Sequence, residues 1–324
     1  MSRRVGVLGC GGIGARHAGA IQQVPELTLV ACCGRDAERT AAFAAKFGGV
    51  AYTDFARMLD EAALDLLVVA LPPYAHAGEV ERAAARGINV LVEKPIALQL
   101  ERAQSMVAAT QGVVAACGFM YRFGAAVERW NALSAAGETG AVGHFSGSFH
   151  SNALHAPWWR ERDRSGGQMV EQLIHIVDLA RQNLGMPQAV YARAGNVFHH
   201  DVPGYTADDA SALVLGYDDG RVGVLHASNG AVPGRWMKGW QIVAERATGM
   251  FADWNHAEIV HAAGAVQSET IAGTADPFVA QLTDLRDAIA ERRAPRVPLA
   301  DGLATLRIVL AARRSAETHA EMAP

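Results

Sequence analysis

The sequence predicts an α/β chain in two parts, a doubly wound parallel sheet followed by an α+β part with a largely antiparallel, open-faced sheet. Three observations lead there. A glycine-rich turn, Gly9-Cys10-Gly11-Gly12-Ile13-Gly14, separates the first apolar run from the first helical segment. Up to about residue 120, short apolar runs alternate with segments of helical spacing. Beyond it, strand-like runs follow one another directly.

The runs at 5–8, 27–33, 66–71, 88–92 and 113–117 read as strands buried on both faces. Between them, 15–23, 37–47, 75–86 and 99–110 are rich in Ala, Glu and Arg at helical spacing. That alternation builds a parallel sheet covered by helices. Later, 142–151, 189–199, 210–217, 221–228, 240–246 and 249–254 read as strands. Asp218-Asp219-Gly220 and Ala247-Thr248-Gly249 read as hairpin turns joining neighbours. A helix over 168–184 precedes most of these strands, and helices over 277–292 and 299–319 close the chain. Strands in sequence with helices set apart describe an antiparallel sheet covered on one face. The expected division is 1–120 and 121–324, with the last helix free to pack back on the first part.

Bulk properties narrow the function. A chain of 324 residues exceeds one ordinary core, and 50% hydrophobic with 19% charged residues is globular composition. Net charge is −4, and no stretch concentrates Lys and Arg with interleaved aromatics. That excludes a nucleic-acid surface and leaves a small molecule as the expected ligand. No run approaches the ~20 apolar residues of a membrane span. Met1-Ser2-Arg3-Arg4 superficially resembles a twin-arginine export signal, but the apolar stretch after it is short and at once glycine-rich. Cys10, Cys32, Cys33 and Cys117 form no C-x-x-C pair, which suits neither a disulfide framework nor zinc. Free thiols fit a cytoplasmic location.

The glycine turn is G-x-G-x-x-G, directly after a strand and opening a helix, the fingerprint of a Rossmann dinucleotide site. Pyrophosphate must reach backbone N–H groups at a helix N-terminus, where a Cβ would obstruct it. Gly9, Gly11, Gly12, Ile13 and Gly14 are therefore cofactor-binding candidates. The end of the second strand selects the dinucleotide. An NAD site usually puts a carboxylate there for the ribose 2′-OH, whereas Arg accommodates the 2′-phosphate of NADP. Here stand Gly34 and Arg35, so NADP is favoured over NAD, with Arg35 on the phosphate. Asp36 could instead act as the acid one step late, or cap the next helix.

Two further segments end strands at the sheet edge where ligands lie. They are Leu71-Pro72-Pro73-Tyr74-Ala75-His76 and Glu93-Lys94-Pro95. Further on come Gly118-Phe119-Met120-Tyr121-Arg122-Phe123, Trp159-Arg160, Gly166-Gly167 and a helix bearing Glu171, His175 and Asp178. In this order the motifs resemble the glucose–fructose oxidoreductase / inositol dehydrogenase (Gfo/Idh/MocA) family, with its P-x-x-x-H turn, E-K-P, W-R, G-G and D-x-x-x-H-x-x-D elements. The resemblance spans residues 5 to about 185, and the remaining sheet matches in general character only. Glu171 departs from the usual Asp, and Leu173 from a common Gly.

The resemblance implies hydride transfer between nicotinamide and a secondary alcohol or its ketone on a sugar or cyclic polyol. It implies Lys94 and His175 as catalytic residues beside the reacting oxygen. His175 would be the general acid/base, since imidazole titrates near neutrality. Lys94 would stabilise alkoxide charge, and Glu171 would hold or tune one of the two. Leu71, Pro72, His76, Glu93, Lys94 and Arg122 are implied cofactor contacts. Tyr121, Trp159, Arg160 and Gln172 join Lys94 and His175 as substrate contacts. A homodimer or homotetramer through the open sheet face is also implied.

The residues agree locally. Glu171, His175 and Asp178 are spaced to share one helix face, while Met169, Leu173, Ile176 and Ala180 take the core side. Bland readings stand beside these. Trp158-Trp159 can stack on sugar or fill core, and His199-His200-Asp201 reads as surface. Glu171 and His175 could pair on a metal with His150 or His155, but Lys94 and nicotinamide already supply polarisation, so no metal is expected. Two alternatives use the same scaffold: a glycosidase that borrows nicotinamide transiently, and a non-catalytic dinucleotide sensor.

Overall fold

A computed structural model describes residues 2–152, 156–262 and 264–324. The chain divides into two compact units, Met1–Met120 with Asp276–Leu303, and Tyr121–Ala275 with Ala304–Pro324.

In the first unit, β1 (Arg3–Leu8), β2 (Leu27–Cys33), β3 (Val50–Tyr52), β4 (Leu66–Val69), β5 (Asn89–Val92) and β6 (Ala115–Cys117) form a sheet of order β3-β2-β1-β4-β5-β6. Every pair in it is parallel. Crossover helices α1 (Gly12–Ile21), α2 (Ala37–Phe47), α3 (Phe55–Glu61), α4 (Glu79–Ala84) and α5 (Leu100–Ala109) complete the doubly wound pattern. Val5, Val7, Val68, Val90 and Leu91 are wholly buried, as strands covered on both faces require.

Two details differ from the sequence reading. The edge strand β3 and the helix α3 were not read, because three residues, two of them exposed, make no apolar run. The helix expected from 75 starts only at Glu79. Pro73–Ala75 form a 3₁₀ turn, and Gly78 sits in the left-handed region at φ 105°.

The second unit opens with α6 (Ala125–Ala135) and β7 (Val142–His150), then the short α7 (Pro157–Arg160) and α8 (Arg162–Ser165). A π-turn over Met169–Leu173 leads into α9 (Ile174–Leu184). There follow β8 (Ala189–Gly195), β9 (Ala210–Gly216), β10 (Val222–Ser228), β11 (Met237–Ala244), β12 (Ala247–Phe251), β13 (His256–His261) and β14 (Gln267–Ala272). Their order is β14-β13-β12-β11-β7-β10-β9-β8, antiparallel except for the parallel pair β7–β10. The turn expected at Ala247-Thr248-Gly249 lies earlier, at Glu245-Arg246, and those three residues are already paired within β12. Finally α10 (Pro277–Glu291) belongs to the first unit, and α11 (Leu299–Thr318) runs through the boundary.

Helix α9 packs on one face of this sheet. A Cβ at Gly147 of β7 would meet the Ile176 side chain at 2.5 Å, so the glycine makes room for that side chain of the helix. Phe145, Leu213, Leu225, Ile242 and Ile259 are buried on that face. Tyr191, Val214, Val224, Val243 and Met250 point the other way and are exposed.

Candidate active site

In the first unit, register builds the site. Leu8 pairs with Cys33 and Val69, and Val69 with Val92, so four strands end level. The segments after them therefore leave one edge together: the glycine turn, Gly34-Arg35, Leu71 to His76, and Glu93-Lys94. This edge flanks β1, where the strand order reverses, the usual place for a nucleotide.

The glycines sort into two kinds. Gly9 has φ 105°, and a Cβ there would meet the Ala70 carbonyl at 2.4 Å; at Gly14 it would meet the Gly9 carbonyl at 1.9 Å. The protein itself requires both. A Cβ at Gly11 or Gly12 would meet nothing within 4 Å, so the fold does not explain their smallness. Gly11 caps α1 with no side-chain hydrogen bond, and no acidic residue occupies the first turn. Bare N–H groups with open space before them fit an approaching pyrophosphate. Ile13, beside them, is exposed.

At the end of β2, Asp36 caps α2 by accepting from the Arg39 amide at 2.8 Å. Arg35 and Arg39 are exposed beside it. The neighbouring Cys32 thiol lowers the thiol pKa of Cys10, the variable residue of the turn; Thr40 and Arg39 reinforce this against burial. Cys32, Cys33 and Cys117 are buried, as their strand positions predict.

Glu93 does not point outward as a cofactor contact would. Its carboxylate is buried, shares a 2.6 Å hydrogen bond with Nε2 of the fully buried His17, and accepts from the Lys94 amide at 3.2 Å. Gly118 leaves room for it, since a Cβ there would lie 2.7 Å from the carboxylate. The edge of Phe278 backs His17, with ring centroids 5.1 Å apart. Glu93 thus fixes the backbone from which half-buried Lys94 projects. His17 went unnoticed in the sequence, where a histidine on the apolar face of a first helix carries no special signal. His76 is held neutral, its pKa lowered to about 4 by burial, and neither ring nitrogen has a hydrogen-bond partner among the described residues. Leu71 and Pro72 are half-buried.

In the second unit, two consecutive residues of the turn Met120–Phe123 dock along the helix. Tyr121 stacks on His175, with ring centroids 4.4 Å apart and planes 14° from parallel. Arg122, one residue on, is buried and grips both oxygens of Asp178, at 2.6 and 2.5 Å. Asp178 also accepts from Thr305 at 2.9 Å. Arg122, expected on the cofactor, therefore carries a structural ion pair. Glu171 is buried close enough to Tyr121 that its charge, with that of Asp253, adds to burial in raising the phenol's pKa. Tyr121, Glu171 and His175 are thus brought together. Gln172 does not join them; it is buried and accepts from Ser151 at 3.4 Å.

Aromatic rings continue the wall. Trp254 lies 4.7 Å from Tyr121 and Trp240 lies 6.3 Å away. Lys238 Nζ sits 4.4 Å from the centroid of Trp254 and 5.8 Å from that of Tyr121. Trp159 meets Trp158 and Trp236 edge-on, at 5.6 and 5.7 Å, while the Arg160 carbonyl accepts from the Thr206 and Ala207 amides. Sequence reasoning missed Lys238, Trp236 and Trp240. The available signal was Trp236-x-Lys238-x-Trp240, a cation at the buried parity of a strand.

His199 is not at the surface as expected. It is buried, stacked on Tyr205 and bonded to Asp209 at 3.0 Å, whereas His200 is exposed. Among the described residues no three His, Cys, Asp or Glu side chains gather to hold a metal. His150 packs edge-on against His226, and His155 lies outside the described residues.

Two family models match the chain: the oxidoreductase family, NAD-binding Rossmann fold (GFO_IDH_MocA), over residues 3–119, and the GFO/IDH/MocA C-terminal domain over residues 127–250. The chain is 28% identical to a D-xylose 1-dehydrogenase (NADP(+)) 2 of Haloferax volcanii, over 97% of this chain and 98% of the other. It is 29% identical to a scyllo-inositol 2-dehydrogenase (NAD(+)) of Bacillus subtilis, over 69% and 67%. Its fold matches a levoglucosan dehydrogenase solved with NADH and levoglucosan, with a TM-score of 0.92 at 20% identity, covering 100% and 99%.

Proposed function

The chain belongs to the Gfo/Idh/MocA oxidoreductase family, and from that premise we propose an NAD(P)-dependent dehydrogenase or reductase acting on a secondary alcohol or ketone of a sugar or cyclic polyol. One observation carries the reading. Open space before Gly11 and Gly12, and a lysine fixed by its buried neighbour Glu93, occur along one edge of one sheet. The named activities of the xylose and inositol dehydrogenases support the substrate class.

Nicotinamide, when bound, supplies the hydride acceptor or donor. The chain supplies the rest. His175 is the proposed proton acceptor for the substrate hydroxyl, its ring plane fixed by the stack on Tyr121. Lys94 is proposed to stabilise the developing alkoxide with its ammonium. Glu171, buried near Tyr121, is proposed to hold or tune one of these two groups, His175 or Lys94. Arg122 acts indirectly, by anchoring the turn that carries Tyr121. The backbone amides at the start of α1 hold pyrophosphate.

We favour NADP over NAD. Gly34 supplies no carboxylate at the end of β2, Asp36 is engaged as a helix cap, and Arg35 is exposed beside it. Four free cysteines support a reducing, cytoplasmic setting, and no described helix is long and apolar enough to cross a membrane.

The test is a screen of NADP+ and NAD+ reduction against sugars, inositols and glycosides. Lys94→Ala and His175→Ala should fold and bind NADPH, yet lose about 10²–10⁴-fold in kcat. Arg35→Ala should lower kcat/KM for NADP+ about tenfold or more and spare NAD+. Full activity in both catalytic variants would end the reading.

A further inference from the structure

We propose that Lys238 determines substrate specificity by binding an anionic substituent, a carboxylate or a phosphate monoester, on the sugar or polyol. This deepens the dehydrogenase reading and rests on it.

The argument starts from strand parity. Successive side chains of a strand face opposite ways, so Trp236, just before β11, and Lys238 and Trp240 share a face. Trp240 is buried and stacks on Phe251 at 5.0 Å, and Trp236 meets Phe149 edge-on at 5.9 Å. This is the face that α9 covers. A lysine there sits at a position where the alternation calls for an apolar residue.

Its surroundings are unusual for an ammonium, which is compact and strongly hydrated. Lys238 is half-buried, and burial lowers its pKa. It has no hydrogen-bond or ion-pair partner among the described residues. Four arginines of this unit are ion-paired: Arg122 with Asp178, Arg129 with Glu269, Arg162 with Asp208 and Arg221 with Asp219. The one acid that acts on Lys238, Asp253, is already engaged. It receives the amides of Asn255 and His256 at 2.7 and 2.9 Å and faces the His256 ring at 2.9 Å.

What the lysine does have is two aromatic faces, of Trp254 and Tyr121. They hold a cation in place and offset part of its dehydration without neutralising it. Tyr121 is the ring that stacks on His175. A fixed positive charge with no direct ion-pair partner among the described residues thus lies one ring away from the proposed base. A neutral polyol could take a single hydrogen bond there. An anion would also supply the direct ion pair that Asp253, acting only from a distance, does not make, which is the larger gain in a partly dehydrated setting.

The test compares wild type with Lys238→Met and Lys238→Arg. Initial rates with NADP+ are measured on D-glucose, D-glucuronate and D-glucose 6-phosphate. Wild type should prefer an anionic probe to D-glucose by about tenfold or more in kcat/KM. Met should abolish that ratio mainly through KM, and Arg should retain most of it. Preference for the glucuronate assigns a sugar acid, and for the phosphate a sugar phosphate. A wild type that prefers glucose, or a Met variant with an unchanged ratio, would overturn the proposal. Tryptophan fluorescence titration with the same two anions and inorganic phosphate gives a readout independent of turnover. Binding at least about tenfold weaker in the Met variant upholds the proposal even if no probe is oxidised, in which case the dehydrogenase reading alone fails. No saturable quenching in wild type, or equal affinities, overturns it.

Discussion

His76 shows how far a single side chain can be held from its ordinary chemistry. Burial lowers its pKa from 6.5 to about 4, more than the nearby charges of Glu79 and Glu81 can restore. As pH falls, the unfolded chain takes up this proton near 6.5 while the folded one refuses it until about 4. Stability is therefore complete above that window and is lost as pH drops through it. The difference caps the loss at about 3 kcal/mol. His76→Gln cannot titrate, so urea denaturation at about pH 7 and about pH 4.5 should show wild type losing about 2 kcal/mol more than the variant. Equal losses would mean that His76 is protonated freely in the folded protein. The motif that singled out His76 is legible in sequence, and so is its place at a strand end. Its neutrality is not, because neutrality depends on what covers the ring.

Helix α9 and the turn before α6 illustrate the same divide at the level of elements. Helical periodicity alone sets Met169, Leu173, Ile176 and Ala180 on the core side, and all four are buried. It also groups Glu171, His175 and Asp178. What it cannot supply is the partner. Tyr121 and Arg122 are 54 and 56 positions away from His175 and Asp178, and only the fold brings them together. Likewise Glu93 was read as facing the cofactor, because the buried His17 that claims it comes from another helix. The Arg122–Asp178 pair should dominate the stability of this region, being dehydrated and bidentate. Removing one member strands a buried charge, so Arg122→Met should cost about 3–5 kcal/mol in chemical denaturation. Adding Asp178→Leu should recover much of that loss. Recovery will be partial, since Thr305 and Arg181 also meet Asp178, at 2.9 and 3.6 Å. Additive losses in the double variant would show that the two charges do not act as a pair.

For the molecule as a whole, the parallel sheet was the more readable half, because strands buried on both faces make unbroken apolar runs. The second sheet is legible in every strand but its last two. β13, His-Ala-Glu-Ile-Val-His, and above all the edge strand β14, Gln-Ser-Glu-Thr-Ile-Ala, are too polar to register. That polarity is what an edge strand needs to avoid pairing with another chain. The uncovered face is different. Strand register aligns Tyr191, Val214 and Val224 across β8, β9 and β10; beyond the polar Ser146 of β7 and Gln241 of β11 in the same row, Met250 of β12, with Val243 of β11 nearby, forms a second, smaller apolar area. All five are exposed, between 37% and 40%. Isolated exposed apolar residues need no explanation, but rows of them in adjacent strands do. A second copy of this chain is the occupant we propose, joined by a two-fold axis so that each row meets its own equivalent. Light scattering should then give a dimer or tetramer. Val214→Glu with Val224→Glu would bring like charges face to face at the centre of the contact, and the mass should fall toward that of a monomer. The two glutamates would also face each other across β9 and β10 within one subunit, so the variant subunit should still fold but lose about 1 kcal/mol or less. A wild-type monomer at micromolar concentration would leave these rows without a purpose, and the oligomer would have to be abandoned.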